Sequence, residues 1–323
     1  MRYRLFGRTG LRVSELFLGA MRLPDAPEAR RIVDAYADAG GNVIDTASAY
    51  GDSESLLGEV LTRRDRFVLA TKFTLSRDPG DPNAAGAHRK NLVASLDRSL
   101  RRLRTDHVDI LWVHTWDPHT PVEETLRALD DLVRAGKIRY VGMSDMPAWT
   151  ISRADAIAEW KGWTSPAGVQ VPYSLVNRDI EREVLPMAEA LGLTVAAWGV
   201  LDHGALTGSA STDRLSPAGE RAAAALADVA GELGATPGQV AIAWSRAQSP
   251  AIHPLVGFRS HARVAEAVAA LDVRLPDEAL AALDAAAPFD AGPYADFVAR
   301  SARDPHVMGD AEIVGRRAPT AQG

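Results

Sequence analysis

Short apolar runs alternate along this chain with longer stretches whose apolar positions recur at helical spacing. The runs Leu16–Leu18, Val43–Asp45, Phe67–Thr71, Val108–Val113, Tyr140–Met143, Gly168–Val171, Thr194–Ala197 and Ile252–Val256 are apolar almost throughout and do not alternate with polar residues. Strands of that kind are buried on both faces, as in a parallel sheet. Between them, Glu28–Ala39, His88–Leu103, Thr120–Ala135, Glu183–Leu191 and Pro237–Gln248 read as helices. The clearest is Thr120–Ala135. Thr120 is placed to cap, Pro121 takes the first helical position and Glu123 completes a capping box. Val122, Leu126, Leu129 and Val133 then follow at helical spacing, and Gly136 supplies the stop. Alternation of this length implies right-handed βαβ units, and eight of them close into an α/β architecture, the (β/α)8 TIM barrel. Arg2–Leu5 and Leu11–Val13, on either side of the Arg8-Thr9-Gly10 turn, predict a short N-terminal β-hairpin before the first barrel strand.

Neither a linker nor an internal repeat interrupts this pattern, so residues 1–323 read as one domain. Gly80–Gly86 and Ala210–Gly219 read as loops after the third and seventh strands, on the face where a barrel carries its chemistry. From Pro288 to Gly323 the pattern is irregular and predicts a frayed tail. Apolar residues make up 46% of the chain, enough to fill the core of one large α/β domain. A formal charge of −6 argues against a broad electrostatic grip on nucleic acid or an anionic membrane, while leaving room for a local phosphate site. The chain has no cysteine, which excludes a disulfide framework, a Cys-ligated zinc and a thiol nucleophile. His114 and His119 are five residues apart on a strand-to-loop segment, which is not metal-ligand spacing on a helix. The first residues read as a folded start and not a signal peptide. No apolar run is long enough to span a bilayer. The expected compartment is the cytoplasm. No helix face is conspicuously apolar beyond barrel packing, so monomer and homo-oligomer stay open.

Chemistry enters at the strand ends. The second run ends in Asp45 with Tyr50 five residues on, the third stops at Lys72 and the fourth at His114. Each has a bland reading: an Asp caps a turn, a strand-end Lys is solvated, a His is a hydrogen-bonded core residue. Ionisable groups at the ends of successive strands, with a phenol beside them, nevertheless describe one site. A phenol with an ordinary pKa near ~10 is a poor acid at neutral pH. An adjacent ammonium lowers that pKa, and a carboxylate keeps the ammonium charged and oriented. A His can hold a carbonyl oxygen against the phenol. This set suits general acid catalysis at a carbonyl, but it supplies a proton and no electrons. A hydride donor must come from a cofactor.

Later strand ends offer a place for one. Ser144, Asp145 and Gln170 carry hydroxyl, carboxylate and amide groups suited to a carboxamide, and Trp198 offers a face on which a nicotinamide can stack. Leu201 follows in the next turn. Arg259 and Ser260 precede a helix after the eighth strand, a credible phosphate site. The chain contains no Gly-x-Gly-x-x-Gly, so a Rossmann-type dinucleotide site is not expected. Alternation places Trp112 on the same face as His114, filling the barrel interior. Met21 and Trp116 are the substrate candidates, with His119, Phe289 and Phe297 as further pocket residues.

Phe6-Gly-Arg-Thr-Gly-Leu11, Asp45-Thr-Ala-x-x-Tyr-Gly51, Ala70-Thr-Lys72, Asp109-Ile-Leu-x-x-His114, Gly136-Lys-Ile-Arg-Tyr-Val-Gly142 and Gly257-x-Arg-Ser260 occur in this order along the chain. With these motifs the chain resembles the aldo-keto reductases over nearly its whole length. The resemblance implies reduction of an aldehyde or ketone by hydride from NADPH, without metal. Arg259 and Ser260, placed to meet the extra phosphate, favour NADPH over NADH, and aromatic and thioether pocket walls suit a sugar-like or aromatic body. The resemblance makes Tyr50 the general acid, tuned by Lys72 and Asp45, with His114 orienting the carbonyl. It adds Arg263 and Glu266 to Ser144, Gln170, Trp198, Arg259 and Ser260 as cofactor contacts. There are departures. Asp145 stands where the family usually has Asn at the carboxamide, Gly199-Val200 replaces a usual Ser-Pro, and Ala267 stands where an Asn commonly meets the adenine. Two other activities fit the same residues: a cofactor-sensing binding module with negligible turnover, and a Schiff-base aldolase acting through Lys72.

Overall fold

A computed structural model describes residues 1–208, 215–301 and 304–309. Eight parallel strands close into a barrel in strictly sequential order: β3 (Phe17–Gly19), β4 (Val43–Asp45), β5 (Val68–Phe73), β6 (Val108–Val113), β7 (Ile138–Ser144), β8 (Pro166–Pro172), β9 (Thr194–Trp198) and β10 (Ile252–Gly257), with β10 returning to pair with β3. Each lies within about two residues of the predicted run. Their burial on both faces accounts for the unbroken apolar pattern. Before the barrel, β1 (Tyr3–Leu5) and β2 (Arg12–Ser14) pair antiparallel, which is the expected hairpin shifted by a residue. The outer layer is α1 (Ala26–Asp38), α2 (Ser53–Val60), α3 (Arg89–Leu103), α4 (Val122–Arg134), α5 (Ala148–Lys161), α6 (Val184–Leu191), α7 (Pro217–Leu233), α8 (Pro237–Gln248), α9 (Ala262–Ala269) and α10 (Asp277–Ala286).

Three sequence expectations are corrected. The capping box at Thr120 does not form. The Thr120 hydroxyl donates to Asp117 Oδ2 at 2.6 Å, Glu123 takes Arg153, and the helix starts after Pro121, whose ψ of 131° is not helical. The loop expected at Ala210–Gly219 gives way at Pro217 to the first turn of α7, capped by Ser216 on Gly219 N, while its earlier residues to 214 lie outside the described residues. Past Pro288, where irregular chain is expected, α11 (Pro293–Ser301) and α12 (Pro305–Met308) form. Residues 302–303 and 310–323 are outside the described residues. No helix among the described residues is long and apolar enough to cross a membrane.

The interior of the barrel decides where chemistry can occur. Its N-terminal half is plugged by Phe6, Phe17, Ile110, Trp112, Ala167 and neighbours. Phe6, at the tip of the hairpin, meets Trp112 edge-on at 6.0 Å and Tyr140 at 6.3 Å, so the hairpin closes that mouth. Trp112 fills the lumen as its strand phase requires, and it does so because β7 carries glycine beside it. A Cβ at Gly142 would sit 2.2 Å from Trp112 Cε3. That leaves the C-terminal mouth, where Asp145 and Trp116 are exposed. Gly142→Ala should therefore lower the free energy of unfolding by about 1–3 kcal/mol through overpacking, read from denaturant melts. An unchanged midpoint would show that the indole has room to move.

Candidate active site

At the C-terminal mouth Asp45, Lys72, His114, Ser144, Gln170 and Trp198 come together, one from each of the six consecutive strands β4 to β9 except His114, which directly follows β6. Parallel register produces this arrangement: Lys72 pairs across from Trp112, and Ser144 across from Gln170. The centre of the site is a buried ion pair. Lys72 Nζ bonds Asp45 Oδ2 and also donates to the carbonyl of Thr46 at 2.9 Å. Both side chains are nearly sealed, at 1% and 3% exposure, so neither charge can be satisfied by water. Asp45 Oδ1 accepts from Gln170 Nε2 at 3.0 Å across the lumen. Gln170 thus belongs to the carboxylate's surroundings as well as to the polar groups lining the mouth.

Tyr50 lies half-buried over this pair. Lys72 Nζ is 4.9 Å from its ring centroid, and the His114 ring stands edge-on to it at 5.6 Å and 83°. The sequence predicts that the ammonium lowers the phenol's pKa. The net shift is upward, because burial outweighs the Lys72 charge, and Asp45 and Asp145 add to the upward push. Burial, then the Lys72 charge, depress the His114 pKa to about 3, so its ring is neutral at physiological pH. Its Nδ1 is buried without a partner. A neutral imidazole has one N–H to offer a carbonyl oxygen.

Sequence reasoning missed the residues that hold the Tyr50 turn. Glu54, in the first turn of α2, is fully buried. It accepts from Thr71 Oγ1 at 2.6 Å, with Arg102 Nη1 at 3.6 Å from its other oxygen. Arg102 also bonds the carbonyl of Gly51. Thr46 Oγ1 meets Ser53 Oγ at 2.7 Å, and Ser53 reaches the Ala20 carbonyl. The turn between β4 and α2 is therefore tied to β3, β5 and α3. Any trace in sequence is slight, since Glu54 looks like an ordinary first-turn acid.

Around the mouth, Ser144 Oγ is buried, close to the carboxylate of Asp145 but without an aligned hydrogen bond. Asp145 has left-handed backbone (φ +47°) and reaches solvent through the open mouth, while surrounding protein still raises its pKa by poor hydration. Trp198 Nε1 donates to Asp145 Oδ1 at 3.3 Å. Leu201 packs partly buried against the core beyond Gly199. Arg259 is exposed and has no ion-pair partner among the described residues. Ser260 Oγ accepts weakly from Ala262 N at 3.4 Å. Arg263 and Glu266 pair with each other at 2.8 Å, and Glu266 is further held by Thr236. Met21 and Trp116 are exposed at the mouth, and Trp116 meets Trp149 edge-on at 6.0 Å, a residue the sequence reading passed over. His119 is exposed in the loop. Phe289 packs against the guanidiniums of Arg178 and Arg182, and Phe297 projects outward from α11.

The buried pair can be tested without turnover. Lys72→Met leaves Asp45 as an uncompensated buried charge and should cost about 3–5 kcal/mol in unfolding free energy. Adding Asp45→Asn should restore most of that loss. Equal stability of the single and double variants would contradict the pairing.

The chain matches the model of the Aldo/keto reductase family over residues 15–288. It is 37% identical to norsolorinic acid reductase stcV of Emericella nidulans, with 88% of this chain and 80% of that protein aligned. It is 33% identical to the putative aryl-alcohol dehydrogenase AAD14 of Saccharomyces cerevisiae, covering 90% and 88%. The NADP(+) aryl-alcohol dehydrogenase of Phanerodontia chrysosporium is 34% identical, covering 89% and 86%. The protein therefore belongs to the aldo/keto reductase family and is an oxidoreductase acting on carbonyl and alcohol groups.

Proposed function

We propose that this protein reduces an aldehyde or ketone on an aromatic body to the alcohol, with NADPH as the reductant and Tyr50 as the general acid. The observation that carries this reading is the phenol of Tyr50 lying over the sealed Lys72–Asp45 pair with the neutral ring of His114 beside it. When bound, the nicotinamide supplies a hydride, which the side chains cannot.

The residues present suit that cofactor. Ser144 has a buried hydroxyl without a partner among the described residues, Trp198 presents a half-buried indole, and Arg259 and Ser260, at the start of α9, are engaged by no acid among the described residues. In this reading Arg259 and Ser260 receive the extra phosphate that separates NADPH from NADH. Arg263 and Glu266, already paired, shape the adenosine end, and Leu201 lines the turn beside it.

The side chains then divide the work. The neutral His114 donates to the carbonyl oxygen and fixes it near the phenol. Tyr50 is placed to give its proton to that oxygen, and Lys72 would stabilise the phenolate left behind. Asp45, with Gln170 and Thr46 O, keeps the ammonium in place. Trp116, Trp149 and Met21 offer an aromatic and thioether wall at the mouth, which suits a planar substrate. The names of the relatives, a reductase of norsolorinic acid and aryl-alcohol dehydrogenases, point the same way. An aldolase reading fits less well: a Schiff base needs a free amine, and Lys72 Nζ is committed to Asp45 and Thr46 O.

Oxidation of NADPH with an aromatic aldehyde, followed by loss of absorbance, tests the proposal. Tyr50→Phe should reduce turnover by at least ~10²-fold while NADPH still binds, and NADPH should bind more tightly than NADH. Unchanged turnover in Tyr50→Phe would remove the phenol from the mechanism.

A further inference from the structure

The carboxylate at residue 145 has no part in the proton delivery described above, yet its charge reaches the phenol. Among the described residues, Lys72, Asp45 and Asp145 act on Tyr50, one positive charge and two negative. His114 is neutral and does not redress the balance. Lys72 is already matched by Asp45, so Asp145 is the carboxylate left over at the open mouth. It is held in position at three points. Asp145 N donates to the Gln170 carbonyl at 3.1 Å, its own carbonyl accepts from Trp116 N at 3.4 Å, and its Oδ1 accepts from the indole of Trp198 at 3.3 Å.

We propose that Asp145, tethered to Trp198, makes the pocket discriminate between the redox states of its cofactor, favouring the oxidised, cationic nicotinamide over the reduced, neutral one. This rests on the NADP(H) reading above. The two redox states share the same phosphates and adenosine, so Arg259, Ser260 and the start of α9 cannot tell them apart. They differ at the nicotinamide, which carries a positive charge only when oxidised. A carboxylate bonded to the indole assigned to that ring interacts favourably with the charged form and has no comparable attraction to the neutral one. An amide at this position would have no net charge with which to do so. The residue thus biases the bound cofactor toward its oxidised state and eases alcohol oxidation relative to a pocket with an amide there.

Asp145→Asn isolates the charge. Asn keeps the shape, retains an oxygen to accept from Trp198, and tolerates the left-handed backbone of this position. The full chain and the variant are titrated with NADP+, NADPH and 2′,5′-ADP, following quenching of tryptophan fluorescence. The variant should lose about tenfold in affinity for NADP+ relative to NADPH, the scale on which a nearby opposite charge acts. Its affinity for 2′,5′-ADP, which has no nicotinamide, should not change. An unchanged ratio of the NADP+ and NADPH affinities overturns the proposal alone, as does a parallel loss of 2′,5′-ADP binding. Failure of the unaltered protein to bind any of the three overturns the NADP(H) reading and the proposal together.

Discussion

The Lys72–Asp45 pair is the constraint around which this barrel mouth is organised. Two charges with almost no solvent access are tolerated only when each is fully bonded. The pair therefore needs Thr46 O on one side and the Gln170 amide on the other. Those requirements connect β4 to β5 and, across the lumen, to β8. The phenol of Tyr50 adjoins this network and responds to it. Burial alone makes the phenol a weaker acid, and the ammonium is the main force acting against that. In the proposed chemistry the phenol stays protonated until a carbonyl oxygen arrives, then yields its proton with a cation ready to stabilise what remains.

The fold supports this arrangement from below. Phe6 and Trp112, the latter given room by Gly142, fill the other half of the lumen and close it beneath the pair. From the side, Glu54 and Arg102 clamp the turn that carries Tyr50, so the phenol sits on a loop with little freedom. Asp145 and Trp198 form a second polar unit on the opposite arc of the mouth. A site built from separate strand ends can vary one arc while keeping the other.

Strands of this barrel were legible because burial on both faces leaves an apolar run that periodicity cannot disguise. Helices were harder. The apolar positions of α7 are largely alanine, which contrasts weakly with polar neighbours, and α5 scatters apolar and aromatic residues around its axis, so neither shows a clean stripe. Thr120 carried the letters of a capping box, but Asp117 and Arg153 competed for its two members, and only tertiary contacts reveal that. At the site, Asp45, Lys72 and His114 could be read from where strands stop. The net direction of the phenol's shift could not, since it is the difference between burial and opposing charges. Glu54 and Trp149 were invisible for a similar reason, as their partners, Thr71 and Trp116, are remote in sequence.

Burial weakens Tyr50 as an acid, and Lys72 opposes that effect. The most direct test is the titration of the phenol itself, by NMR of protein carrying isotope-labelled tyrosine. The resonance is assigned by its absence in Tyr50→Phe. In the unaltered protein Tyr50 should titrate above an ordinary tyrosine. In a Lys72→Met, Asp45→Asn double variant, which leaves no unpaired buried charge, it should titrate higher still, because the stabilising ammonium outweighs the opposing carboxylate. A titration at the same or a lower pH in that variant would contradict the account.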